Sequence, residues 1–166
     1  MRRKFMEYII RKASSEDLDS VLELWVELFE AVHKMHEIYA DNLTEEAKEE
    51  RKKYYQQVLI SDSAIVLLAE IDSNVVGFVE ACLNDKDFNF HLEEYVYIPY
   101  YYVKLEYRRN IKMMINMFRE VEKWTKENGR RYLCSDVDGK NLNSLRLQEK
   151  FFTMEIFKSR LFKEVL

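Results

Sequence analysis

The stretch Val103-Lys104-Leu105-Glu106-Tyr107-Arg108-Arg109-Asn110-Ile111-Lys112-Met113-Met114 joins a run of β-formers to a run with helical spacing. Upstream lies a tyrosine-rich segment, about Glu94 to Val103, whose β-propensity is high and which Pro99 interrupts; a proline there predicts a bulge or a frayed edge. Downstream, Met113, Met117, Phe118, Val121 and Trp124 fall on one helical face, and Asn128-Gly129 supplies a stop. A helix that starts directly after a strand offers unpaired backbone N–H groups and the positive end of its dipole, which together attract phosphate. Arg108, Arg109 and Lys112 add positive charge at that point. Charge alone does not decide between a phosphate cradle and a solvated helix entrance.

Working outward, Tyr8 to Lys12 reads as a first strand, and Ser14 with Asp17 resembles a capping box. Leu18, Val21, Leu22, Trp25, Leu28, Phe29 and Val32 then recur at helical spacing. The polar segment Glu37 to Asn42 breaks this helix, and Thr44 opens a second, highly charged one running to about Ile60. Ala64 to Ile71 and Val75 to Leu83 are apolar runs around the turn cluster Asp72-Ser73-Asn74, which predicts a hairpin. After the long helix come a strand at Arg131 to Val137, a turn at Asp138-Gly139-Lys140-Asn141, a short helix capped by Asn143 and running to about Lys150, and a last strand from Phe157 to Val165. The expected order is β-α-α-β-β-β-α-β-α-β in a single domain over 1–166.

The chain has 166 residues, 48% of them apolar, enough to fill one shared core. Its net charge of -4 arises from both signs mixed along the sequence, so no basic face is offered to nucleic acid or anionic lipid. No apolar run is long enough to span a membrane, and Met1 to Arg11 lacks a signal-peptide core. Cys82 and Cys134 lie in apolar runs and read as small hydrophobes in a reducing compartment; with His33, His36 and His91 they form no metal spacing. The expectation is a cytoplasmic protein with no structural metal.

The element order and the strand-turn-helix resemble the GNAT superfamily of N-acetyltransferases, whose cofactor motif reads Arg/Gln-x-x-Gly-x-Gly/Ala. Setting Arg109 on the motif arginine puts Met113, Met117, Phe118, Val121 and Trp124 on the apolar positions of the family's following helix. Lys112 and Met114 then stand where the family has small residues that let the backbone approach a pyrophosphate. In that register Lys112 adds an ammonium, while Met114 crowds the cofactor unless its side chain turns away. The resemblance implies a mixed α/β (α+β) fold with a mostly antiparallel central sheet, helices on both faces, and a splay between strands 4 and 5. It implies acetyl-CoA bound along Tyr102, Val103, Arg108, Arg109, Asn110, Ile111, Lys112, Met113 and Met114.

A second stretch, Val137-Asp138-Gly139-Lys140-Asn141-Leu142-Asn143-Ser144-Leu145-Arg146-Leu147-Gln148-Glu149-Lys150-Phe151, resembles the family's Asn-x-Asn-Ala-x-x-x-Tyr-Glu-Lys-x-Gly-Phe. Asn141 and Asn143 match its asparagines, implying cofactor contacts, and Gln148 holds the position of a tyrosine that in many members protonates the leaving thiolate. A glutamine donates a hydrogen bond but no proton. A thiol of pKa about 8.5 leaves tolerably without a placed acid, so slower turnover is expected, with water or a tyrosine substituting.

Amine acylation also requires that an ammonium of pKa about 10.4 lose a proton before attack. Glu93 and Glu94 are the first candidates, then His36 with Glu37. The family's acceptor is gripped by the loop between the first two helices and by central strands, which implies His33, His36, Tyr39, Tyr97, Tyr100 and Tyr101 as lining. Side chains alternate along a strand, so Tyr97 shares a face with Tyr100 and Tyr102 only if Pro99 introduces a bulge. Three readings follow: an acetyl-CoA-dependent enzyme acting by direct attack on a small-molecule or peptide amine; a catalytically weakened acyl-CoA-binding or regulatory module; and a structural homodimer using its aromatic surface.

Overall fold

The computed structural model describes residues 7–35, 43–84 and 94–156. The polar segments expected at Glu37 to Asn42 and Asn84 to Asn89, and the last strand from Phe157, lie largely or wholly outside them. Contacts divide the chain into two compact units, 1–136 and 137–166.

The first unit is built on a five-stranded sheet in the order β1-β2-β3-β4-β5. Strands β1 (Ile9–Lys12), β2 (Ala64–Ile71), β3 (Asn74–Asn84) and β4 (Tyr95–Val103) pair antiparallel, and β5 (Tyr132–Ser135) pairs parallel to β4. The sheet is thus mixed and mostly antiparallel, as expected. Asp72 and Ser73 both have positive φ, 49° and 63°, and make the two-residue turn of the β2–β3 hairpin. Seven of the eight β2 residues are buried, the continuous pattern of a strand covered on both faces.

Helix α1 (Leu18–His33) follows a short 3-10 turn at Ser15–Asp17. The Asp17 carboxylate accepts from Ser14 N–H at 2.7 Å and from the Arg11 guanidinium at 2.6 and 2.8 Å. Arg11 also donates to Glu70, so one guanidinium ties the start of α1 to β1 and β2. Helix α2 (Glu45–Val58) begins at Thr44, whose Oγ1 accepts from Ala47 N–H at 3.1 Å.

Alternation sorts the helices between the two faces of the sheet. Ala64, Val66, Leu68, Phe78 and Tyr102 point to one face and form a core with Val21, Leu24, Trp25 and Phe29 of α1 and Tyr55 and Val58 of α2. Tyr101 points the other way and donates its hydroxyl to Met114 O of helix α3 (Ile111–Glu127) at 2.8 Å. Gly77 is fixed by close approach: a Cβ there would lie 2.9 Å from Tyr102 O and 2.9 Å from Val103 Cγ2.

The second unit begins with helix α4 (Leu142–Phe151). Its cap is Asn141, whose side chain accepts from Ser144 N–H at 3.2 Å, and not Asn143 as the sequence suggested. The shift is one of register: the Asp138-to-Asn141 turn closes on itself, with Asn141 N–H donating to Asp138 O at 2.8 Å, and the helix begins two residues early.

Candidate functional site

Strand β4 carries the irregularity that Pro99 predicted. Glu80 pairs with Tyr100, but Cys82 pairs with Tyr97, so Ile98 and Pro99 stand opposite Ala81 alone. This one-residue bulge resets the alternation and brings Tyr97 onto the same face as Tyr100 and Tyr102, leaving Tyr101 on the opposite one. It also ends the pairing with β5, whose register runs only from Tyr95↔Tyr132 to Ile98↔Ser135. Beyond the bulge, Lys104 N–H donates to Val76 O at 2.9 Å. Antiparallel alternation then turns the main-chain groups of Val103 and Tyr101 away from β3, toward the side that β5 has left.

The strand runs through a 3-10 turn at Leu105–Tyr107 into α3, with Asn110 as cap; its Oδ1 accepts from Met113 N–H at 3.2 Å. The N–H groups of Ile111 and Lys112, in the first turn, have no intrahelical acceptor. Arg109 and Lys112 are exposed beside them and take part in no ion pair among the described residues. Arg108 is differently placed: its Nε–H donates to Val103 O at 2.7 Å and its guanidinium lies 5.2 Å from the Tyr102 ring, so it props the end of β4. Met113 and Met114 are 0% and 5% exposed, turned into the core under α3. Met114 therefore does not crowd the helix entrance, and the basic helix start follows the end of β4 that β5 no longer covers. These residues suit a pyrophosphate at the α3 entrance and an extended amide-bearing arm beside β4.

On the α1/α2 face, a carboxylate interrupts the buried run Val76 to Ala81: Glu80 is 0% exposed. Tyr54 OH donates to Glu80 Oε1, while Oε2 has no partner. Tyr55 OH is directed at the same carboxyl and steadies its charged form, while Trp25 Nε1 is buried without a hydrogen-bond partner. Burial, the dominant influence, raises the Glu80 carboxyl above its ordinary value against the opposing pull of Tyr54, Tyr55 and Arg51. The Arg51 guanidinium sits among aromatic rings, 4.9 Å from Trp25, 4.9 Å from Tyr54, 5.2 Å from Tyr100 and 6.0 Å from Tyr55. Phe29 closes the cluster, 4.4 Å from Trp25 and 5.8 Å from Tyr100.

The residues expected at the site divide accordingly. Tyr97 and Tyr100 face the Glu80 cluster's side of the sheet, and Tyr97 OH donates to Asp136 at 2.9 Å. Tyr101 belongs to the α3 face and is committed to Met114 O. His33 is exposed in the last turn of α1; His36, Tyr39 and Glu93 lie outside the described residues. Glu94 is ion-paired with Arg130, and its neighbour Tyr95 pairs with Asn84, four residues along β3 from Glu80. Cys82 Sγ donates to Tyr97 O at 3.6 Å and its thiol is raised by burial, an unreactive state. Asn141, Asn143 and Gln148 lie in the second unit. Among the described residues no cluster of His, Cys, Asp and Glu could hold a metal, and no helix is long and apolar enough to cross a membrane.

Glu80 and Arg51 escaped the sequence reading. The signal for Glu80 was a lone carboxylate inside an apolar strand, which is either an error of register or a functional group. That for Arg51 was its place three and four residues before Tyr54 and Tyr55, on the one apolar stripe of a charged helix.

A model of the family described as Acetyltransferase (GNAT) matches residues 25–153. No curated protein matches the chain. Aminoglycoside 6'-N-acetyltransferase AAC(6')-Ih from Acinetobacter baumannii superposes with a TM-score of 0.74 at 18% identity, over 96% of this chain and 99% of that one. AAC(6')-Iy in complex with the bisubstrate analogue CoA-S-monomethyl-acetylneamine gives a TM-score of 0.75 at 16% identity, over 96% and 99%. The tetramutant of the BH1408 protein from Bacillus halodurans gives 0.78 at 19% identity, over 95% and 99%. At these identities the structures share the fold.

Proposed function

We propose that this chain, which belongs to the GNAT family of acetyltransferases, is an N-acetyltransferase with acetyl-CoA as co-substrate, and that Glu80 serves its acceptor, a primary amine of a small molecule or peptide. The observation that carries this reading is the half-satisfied carboxyl of Glu80, buried in mid-strand opposite Tyr100 and next to the bulge that opens β4. Bound acetyl-CoA supplies a thioester whose carbonyl an amine can attack directly.

The protein's own residues divide the remaining work. Arg109, Lys112 and the first-turn N–H groups of α3 bind phosphate, and the main chain of β4 beyond Pro99 orients the arm. Glu80, held on one oxygen by Tyr54, presents the other to an ammonium and takes its proton; the raised carboxyl brings its basicity closer to that of the amine. Glu80 is preferred to Glu94 because the Glu94 side chain is committed to an ion pair with Arg130 at the far end of β4. The leaving thiolate needs no protein acid, consistent with glutamine at 148.

Thiol release from acetyl-CoA is the test, measured with a panel of amino acids, peptide N-termini, polyamines and the aminoglycosides on which the structural relatives act. Amine-dependent release above acetyl-CoA hydrolysis is expected. Tight acetyl-CoA binding with no release for any amine would favour the weakened, regulatory module instead; Gln148 is the residue that speaks for that second reading.

A further inference from the structure

The aromatic cluster beside Glu80 has a polarity that selects among amines. Arg51 presents five N–H donors, and none makes a hydrogen bond or ion pair among the described residues; its close contacts are ring faces, with a longer-range attraction to the Glu80 carboxyl. Ring faces attract a cation but do not satisfy the in-plane fork for which a guanidinium is shaped. Around the same point, Trp25 Nε1–H is buried without a partner, and Tyr55 O–H is directed at the Glu80 carboxyl. A buried donor left unpaired is costly, and Trp25 Nε1–H and the half-buried Arg51 fork meet here beside Glu80, whose Oε2 has no close partner. The complement of that arrangement is a group rich in anionic oxygen placed beside one ammonium.

We propose that Arg51 is a specificity-determining residue that grips a carboxylate of the acceptor, so that the substrate class is amino acids or peptides with a free acid group near the reacting amine. The proposal rests on the reading of the Glu80 cluster as the acceptor site. A fixed guanidinium already fills the place among Trp25, Tyr54 and Tyr100 where a second ammonium would gain from the rings, so polyamines are disfavoured by repulsion.

The experiment compares each of several amino acids and dipeptides with its own carboxamide, together with spermidine, by thiol release and by ligand-observed NMR. For the wild type, kcat/KM for the acid should exceed that for the amide by about tenfold or more, carried mainly in KM. Arg51→Gln should bring acid and amide to the same value, and Arg51→Lys should restore part of the difference. Acid and amide used equally by the wild type, or a preference for the acid that survives in Arg51→Gln, overturns the proposal. Should no amine be acetylated, the enzymatic reading of the site falls, and NMR still decides on Arg51: acid-selective binding lost in Arg51→Gln supports it, and absent or unselective binding rejects it. Acetyl-CoA binding by the variants reports that they are folded; if neither folds, the wild-type acid-to-amide ratio decides alone.

Discussion

The α3 entrance and the Glu80 cluster lie on the two sides of β4 and are built in opposite ways. The entrance is assembled from a dozen consecutive residues, its cations exposed and its bulky methionines turned inward. The cluster draws on α1, α2, β3 and β4, buries its carboxylate completely, and leaves polar atoms unpaired. A phosphate is large, doubly charged and tolerant of approach, so exposed cations and main-chain N–H groups suffice. Moving a proton requires a carboxyl whose basicity is set by desolvation, which only tertiary packing provides.

That division of labour can be broken most sharply at Glu80. Glu80→Gln should lower kcat by about 10²- to 10⁴-fold while acetyl-CoA affinity is retained. The wild-type pH profile should rise above the ordinary glutamate value of about 4.3, because burial raises this carboxyl and only its ionised form accepts a proton. In Glu80→Gln that limb should vanish; an unaltered profile would remove Glu80 from the chemistry. On the other side of β4, Arg109→Glu should weaken acetyl-CoA binding by about 10- to 100-fold in calorimetry, more at low salt, with the melting temperature unchanged. Equal affinity would place the phosphates elsewhere.

Two smaller effects probe what joins the regions. Gly77 lies beneath Tyr102 and Val103, where both sides of β4 depend on close strand approach. Gly77→Ala should cost about 1–3 kcal/mol in chemical denaturation and impair cofactor binding and turnover together. A neutral result would mean that β3 and β4 part easily. Asp17 anchors only the α1 side. Arg11 holds its carboxyl well below the usual range, so the stabilisation is present above the unfolded value of about 3.9 and is lost as pH falls below it. Asp17→Asn should therefore remove about 1 kcal/mol at neutral pH and flatten the acid limb of stability, leaving acetyl-CoA binding intact.

Particular residues show how far the sequence could be read. The bulge at Pro99 was legible because proline lacks the N–H a ladder needs, and it correctly brought Tyr97 and Tyr100 together. The α3 entrance was legible because helix period and cations lie within one stretch. The family resemblance implies Tyr101 as acceptor lining beside Tyr97 and Tyr100, whereas alternation commits it to Met114 and the opposite face. Arg51 looked like one more charge on a solvated helix, because nothing in its local spacing reveals Trp25 and Tyr100 closing over it.

The sequence by itself determined the order of elements from β1 to α4, the break in β4 and the basic start of α3, since these follow from backbone preferences and periodicities that neighbouring residues set. Only the tertiary structure decided that Met114 turns inward, that Glu80 is the buried carboxylate, and that Arg51 stands among aromatic rings. Burial and long-range contact are properties of packed elements, and the desolvation that raises the Glu80 carboxyl exists only once α1 and α2 cover the sheet.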